Sequence, residues 1–147
     1  MFVMLNPSTA DATVDDPTIR RCVGFAKRWG FNRLVVGNVY GLRSTDPKAL
    51  KVEGAEPVGE PLPESHAHTY SNMNDEWLRK LLLGPEPPER VICAWGTHAA
   101  PKRAAQVFDV LSAHHFPIEC LGTTKHGHPK HPLYLPGDTE PEHFDPQ

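Results

Sequence analysis

The sequence predicts an α/β fold, a three-layer α/β/α sandwich around a four-stranded, mainly parallel sheet. Two observations predict it. Short apolar runs alternate with amphipathic stretches in the order β-α-β-α-β-α-β, and such alternation carries each strand through a crossover helix into a parallel neighbour. The apolar runs also lead into short polar signatures: Leu5-Asn6-Pro7-Ser8, Val36-Gly37-Asn38, Ala94-Trp95-Gly96-Thr97-His98 and Gly127-His128-Pro129-Lys130-His131-Pro132. In an open parallel sheet, ligands bind outside the carboxyl ends of the strands, so residues far apart in sequence converge there. One pocket is therefore expected to hold Asn6, Asn38 and His131.

The elements follow in order. Residues 2–5 form an apolar run that stops at Asn6-Pro7, because proline cannot donate to a strand ladder. Asp16 before Pro17 reads as an N-cap followed by the residue suited to a first helical position. Ile19, Cys22, Val23, Ala26 and Trp29 then recur at helical spacing until Gly30. Residues 33–37 are the second strand, ending at Asn38. Residues 41–71 hold Pro47, Pro57, Pro61 and Pro63 without sustained periodicity, the mark of a binding loop or lid at the rim of the pocket. A second helix is predicted over 74–83, with Trp77, Leu78, Leu81 and Leu82 as its stripe. Residues 91–94 are the third strand. Ala104, Val107, Phe108 and Leu111 mark a third helix over 99–114, with Pro101 tolerated in its first turn. The fourth strand is 118–121.

Composition sets the class. A chain of 147 residues with 39% hydrophobic content can form one core without disulfides or metal, so a single domain over 1–136 is expected. The remainder, 137–147, reads as a loose acidic tail, and the Pro-rich segment 85–89 as a loose connection. No run approaches the roughly 20 apolar residues of a membrane span, and the first residues lack the basic flank of a signal peptide. Cys22, Cys93 and Cys120 show no paired spacing and leave an odd thiol, which predicts buried small hydrophobes in a reducing cytoplasm. The net charge of −3 excludes a strongly basic nucleic-acid binder. Asp138, Glu140, Glu142 and Asp145 lie in the tail, however, so the body without it is slightly positive. Arg20, Arg21, Lys27, Arg28, Arg43, Lys125 and Lys130 are then the groups available to meet phosphate, although solvated helix and loop positions explain most such residues.

The four signatures, in their order, resemble the uracil-DNA glycosylase superfamily. Leu5-Asn6-Pro7-Ser8 is similar to its first motif, and Leu34-Val35-Val36-Gly37-Asn38 to the strand whose terminal asparagine reads a flipped base. Val91-Ile92-Cys93-Ala94-Trp95-Gly96-Thr97-His98-Ala99 is similar to its Leu-Trp-Gly-x-His-Ala stretch, and His131-Pro132 to its His-Pro-Ser motif. A closer resemblance, over nearly the whole chain, is to a bacterial and phage family catalogued as domain of unknown function 1643. It is carried by Met4-Leu5-Asn6-Pro7-Ser8-Thr9-Ala10-Asp11, Asp16-Pro17-Thr18-Ile19-Arg20-Arg21-Cys22, Leu42-Arg43-Ser44-Thr45-Asp46-Pro47 and Gly127-His128-Pro129-Lys130-His131-Pro132-Leu133-Tyr134. The glycosylase resemblance implies the strand order 2-1-3-4, Asn6 positioning an attacking water, Asn38 pairing with the base and His131 stabilising the departing base. The chain departs from it at Leu133, where glycosylases carry a serine that grips DNA phosphate, and at Ser8, where the related branches carry glycine.

The chemistry is coherent on physical grounds. Cleaving an N-glycosidic bond builds negative charge on the base, so a preorganised donor beside a base oxygen is the most useful group. Tyr40 or Phe25 is expected to wall the pocket by stacking, with Trp95 and Gly96 as its floor. Ser8, Arg20, Arg21, Arg43 and Lys130 are expected to contact phosphate or substrate, Arg20 and Arg21 dividing between pocket and solvent, with Asp11 as a reserve base. No cofactor is expected, and the expected partner is nucleic acid or nucleotide. Each residue also has a plainer explanation: Asn6 and Asn38 as turn formers, Trp95 as a packing anchor and Gly96 as a tight-turn residue. Two alternatives stay open, a noncatalytic module for a modified base or nucleotide, and a metal-dependent hydrolase or nuclease ligated through His126, His128 and His131 with Asp11 or Asp46. A Gly-rich phosphate loop, a nucleophile elbow and a paired Cys motif are all missing, which disfavours kinase, α/β-hydrolase and thiol-redox functions.

Overall fold

Strands β1 (Phe2–Met4), β2 (Val36–Asn38), β3 (Val91–Cys93) and β4 (Ile118–Cys120) run parallel, and a fifth, β5 (Glu142–His143), is antiparallel to β4. Their order in the sheet is β2-β1-β3-β4-β5. The computed structural model describes residues 1–7, 16–41, 50 and 73–146. The register sets Met4 beside Asn38, Val3 beside Cys93 and Cys93 beside Cys120. Each parallel connection passes through a helix. These helices are α1 (Pro17–Arg28), α2 (Met73–Leu83) and α3 (Pro101–Ser112).

Side-chain alternation along the strands divides the core in two. Phe2, Met4, Ile92, Ala94 and Leu121 pack against Cys22 and Phe25 of α1 on one face. Val3, Val91, Cys93, Ile118 and Cys120 pack against Leu78 and Leu82 of α2 and Val107, Val110 and Leu111 of α3 on the other. The helices thus form layers on both sides of the sheet, and the buried strands read as near-continuous apolar runs because neither face meets water. Asp16 caps α1, its Oδ1 accepting from the Thr18 amide at 2.7 Å and the Ile19 amide at 3.3 Å, with Pro17 as the first helical residue. Pro101 opens α3 in the same way.

The structure corrects several expectations. The sheet has five strands, because the acidic tail folds back: Glu142 pairs with Cys120, His143 with Glu119, and the Phe144 amide donates to Ile118 at 3.0 Å. Two paired residues are too short to show a period, so the apolar signal fell on Phe144 alone. Its ring is 2% exposed and packs edge-on against Trp95 and Phe108. The second strand begins later than expected, at Val36, although Val35 already accepts from the Phe2 amide at 2.9 Å. Ile19 and Trp77 lie at the edges of their helical stripes and are exposed, and Phe25 takes the core position instead. The expected rim, residues 41–71, lies outside the described residues except for Gly41 and the buried Leu50. Among the described residues no helix is long and apolar enough to cross a membrane.

Candidate functional site

The carboxyl ends of β1, β2 and β3 adjoin one another, and backbone hydrogen bonds carry the pairing past the strands themselves. The Val39 amide donates to Met4 at 2.8 Å, Tyr40 to Leu5 at 2.9 Å and Ala94 to Val3 at 2.8 Å. Asn38 lies between Gly37 and Val39. Gly37 faces Leu78 of α2 and Val39 belongs to the α2/α3 core, so Asn38 projects to the α1 side. Asn6 follows two residues after Met4, the register partner of Asn38; it is half-buried, and its Nδ2 donates to the Pro7 carbonyl at 3.2 Å.

His131 reaches the same end by a different route. Beyond β4 the chain turns through a bridge between Thr123 and Pro129, and the Gly96 amide donates to the Pro129 carbonyl at 3.0 Å. Gly96 has φ +73°, a conformation open to residues without Cβ, and a Cβ placed on it would lie 3.7 Å from Cβ of His131. His131 then opens a 3-10 turn, Pro132–Tyr134, that packs on α1. Asn6, Asn38 and His131 are thereby brought to one end of the sheet.

The electrostatics of His131 are specific. Its Nδ1 accepts from the Leu133 amide at 3.3 Å. Burial lowers its pKa from 6.5, against the opposing field of the Asp16 carboxylate at the start of α1. A neutral imidazole whose Nδ1 is an acceptor carries its proton on Nε2, which is then a donor.

The other expected site residues take different places. Phe25 is 1% exposed, with its ring stacked on Trp29 at 5.4 Å and tilted against Phe2 at 6.5 Å, and Tyr40 is 3% exposed. Both are core residues rather than pocket walls. The Tyr40 hydroxyl accepts from the Ala100 amide at 2.9 Å, satisfying an orphan donor ahead of α3. Trp95 is a packing anchor in the α2/α3 core, on the opposite face from Asn38. Arg21 turns inward and donates through Nη2 to the Leu135 carbonyl, its guanidinium 5.5 Å from the Phe25 ring centre, while Arg20 is exposed. Arg21 therefore secures the 3-10 turn to α1. Lys130 is exposed and lies over Gly122 at the end of β4. Ser8, Asp11, Arg43 and Asp46 lie outside the described residues.

Among the described residues no group of three His, Cys, Asp or Glu side chains could hold a metal, so His126, His128 and His131 do not form such a group. The tight turn accounts for it. The Thr124 amide donates to His128 at 2.8 Å and the Gly127 amide to Thr124 at 3.0 Å, leaving His126 exposed while His131 is engaged by the 3-10 turn.

Sequence reasoning missed three contributors. Asn74 donates through Nδ2 to the carbonyls of Asn38 at 2.7 Å and Val39 at 3.3 Å. Arg103 donates through Nε to Val39 at 2.9 Å and is paired with Asp75. Asp16, read only as a cap, also faces His131 electrostatically. A signal for the second existed: a carboxylate in the first turn of one helix and a guanidinium in the first turn of the next can meet when the two helices pack side by side.

Comparison with curated proteins and with solved structures finds no match. A family model described as protein of unknown function (DUF1643) matches residues 1–133, which include Asn6, Asn38 and His131, and the chain belongs to that family.

Proposed function

We propose that the crevice at the carboxyl ends of β1, β2 and β3 processes a nucleobase, by glycosylase-type hydrolysis of an N-glycosidic bond to a modified or deaminated base. The observation that carries this reading is the hydrogen bond of the Leu133 amide to His131 Nδ1: with Nδ1 an acceptor and burial disfavouring the charged ring, the neutral imidazole keeps its proton on Nε2 and offers it as a donor. In the reaction, a water oxygen bonds to C1′ as the C1′–N bond breaks. The bonding pair moves onto the base, and the water proton ends on the base. Asn6 orients the water, Asn38 pairs with the base edge, and His131 Nε2–H stabilises the negative charge developing on a base oxygen.

A second reading, a noncatalytic module for a modified base or nucleotide, is favoured by Leu133. It stands where the resembling glycosylases carry a phosphate-gripping serine, and its amide is engaged by His131. Oligonucleotides carrying uracil, hypoxanthine or hydroxymethyluracil, incubated with the protein and then treated with alkali, separate the two. Strand cleavage at the modified position, abolished by Asn6→Ala, supports hydrolysis. Retention of the labelled strand without cleavage supports the binding module.

A further inference from the structure

Tyr134 is the most exposed large hydrophobic side chain among the described residues, at 83%, and it is held in a rigid frame. Pro132 beneath it is buried, the Leu135 amide closes the turn onto Pro132 at 3.3 Å, His131 Nδ1 accepts from Leu133, and Arg21 of α1 donates to the Leu135 carbonyl. The Tyr134 ring lies 5.8 Å from that of His131 at an interplanar angle of 46°. A ring this exposed contributes nothing to the core, and Leu133 beside it is also exposed. The turn and the loop before it, residues 121–137, contain no Asp or Glu but carry Lys125, Lys130, His126, His128 and His131. Lys125, His126 and Lys130 are exposed. Of the tail acids, Glu140 is bound by Arg28 at 2.7 Å and Glu142 lies in β5 beside Cys120, while Asp138 follows the turn and is exposed.

From these features we infer that Tyr134 is a stacking platform outside the crevice, and that the ligand is a nucleic-acid strand rather than a free nucleotide. This rests on the nucleobase reading of the crevice. The Tyr134 ring stands beside His131 and is open to solvent, so it offers a second face next to a base held at His131. A ring so placed, on a segment that carries the exposed Lys125 and Lys130, suits a neighbouring base of the same strand, whose phosphates meet those two lysines. Stacking is tolerant of sequence because every base has a π-face, so this contact adds affinity and register without selecting the base in the crevice.

The test is fluorescence anisotropy with a labelled mixed-sequence single strand of about a dozen nucleotides, and with a labelled mononucleotide, at low salt. Tyr134→Ala is expected to weaken strand binding by about five-fold or more and to leave mononucleotide binding unchanged, while Tyr134→Phe keeps wild-type affinity for both. Unaltered circular dichroism and melting temperature in Tyr134→Ala establish that the fold is intact. Wild-type strand affinity in Tyr134→Ala overturns the platform and leaves the crevice reading standing. Equal weakening for both ligands makes Tyr134 part of the crevice wall and likewise overturns the proposal. Failure of the wild-type protein to bind either ligand overturns both readings, as does loss of self-association in Tyr134→Ala without any nucleic-acid binding.

Discussion

Arg103 and Asp75 meet as a buried bidentate pair, Nη2 to Oδ1 at 2.6 Å and Nη1 to Oδ2 at 3.0 Å, while the Arg103 Nε holds the Val39 carbonyl. The pair joins α2 to α3 across the end of β2. Asp75→Ala strands a buried guanidinium, and the expected loss in urea unfolding is about 3–5 kcal/mol. Replacing both partners with apolar residues of matching volume should recover most of it, because the desolvation cost disappears with the charges.

Gly37 is a packing constraint on β2. A Cβ there would lie 2.6 Å from Leu78 Cδ2, and Leu78 is 1% exposed. Gly37→Ala is expected to destabilise by about 1–3 kcal/mol through overpacking. Adding Leu78→Val, which shortens the opposing side chain, should restore part of the melting temperature.

The lowered pKa of His131 has a defined pH signature. Well above pH 6.5 the ring is neutral in both folded and unfolded chains and contributes no pH dependence. Below 6.5 the unfolded chain takes up the proton first, so stability falls with falling pH until the lowered native value is reached. Unfolding free energies measured across this window should show a shallower acid slope in His131→Gln than in the wild type. An NMR titration of the His131 ring should give a midpoint below 6.5.

The thiols should be inert in the native state. Burial pushes Cys22 up to about 12, and also raises Cys93 and Cys120, neighbours across β3 and β4. A thiol-reactive dye at neutral pH is expected to label all three on unfolding and none rapidly before it, since the thiolate is the reacting species.

Phe144 closes the core between Trp95 and Phe108, at ring distances of 5.7 and 5.9 Å. Phe144→Ala is expected to cost about 3–5 kcal/mol, read as a lower urea midpoint with loss of near-ultraviolet signal from Trp95.

Local signals made much of this legible. The Asp16-Pro17 cap, the Gly30 stop and the apolar runs ending at Asn6 and Asn38 are short-range features whose physics does not depend on the rest of the chain. They located α1 and the first two strands to within a few residues. Tyr40, Phe25 and Trp77 were harder, because an aromatic side chain satisfies a core and a binding surface equally well in sequence. Their rotation about the strand or helix axis, fixed by neighbours far along the chain, decided which they met. The Arg103–Asp75 pair and the hydrogen bond from Gly96 to Pro129 are long-range by nature, and no window of sequence contains both partners. Strand β5 is invisible for another reason: with two exposed residues, its pairing comes from the open edge of β4 and the anchoring of Phe144.

During synthesis the chain emerges from its amino end, and β1 lies at the interior of the sheet between β2 and β3, so it must wait for both neighbours, which follow it. Phe144, needed to cover Trp95 and Phe108, is made after every other element. The α1 side, with Phe2, Cys22, Phe25 and Ile92, can consolidate earlier than the α2/α3 side. A chain in which Phe144 has not yet docked shows two open aromatic rings on a partly formed sheet, the kind of surface that chaperones retain.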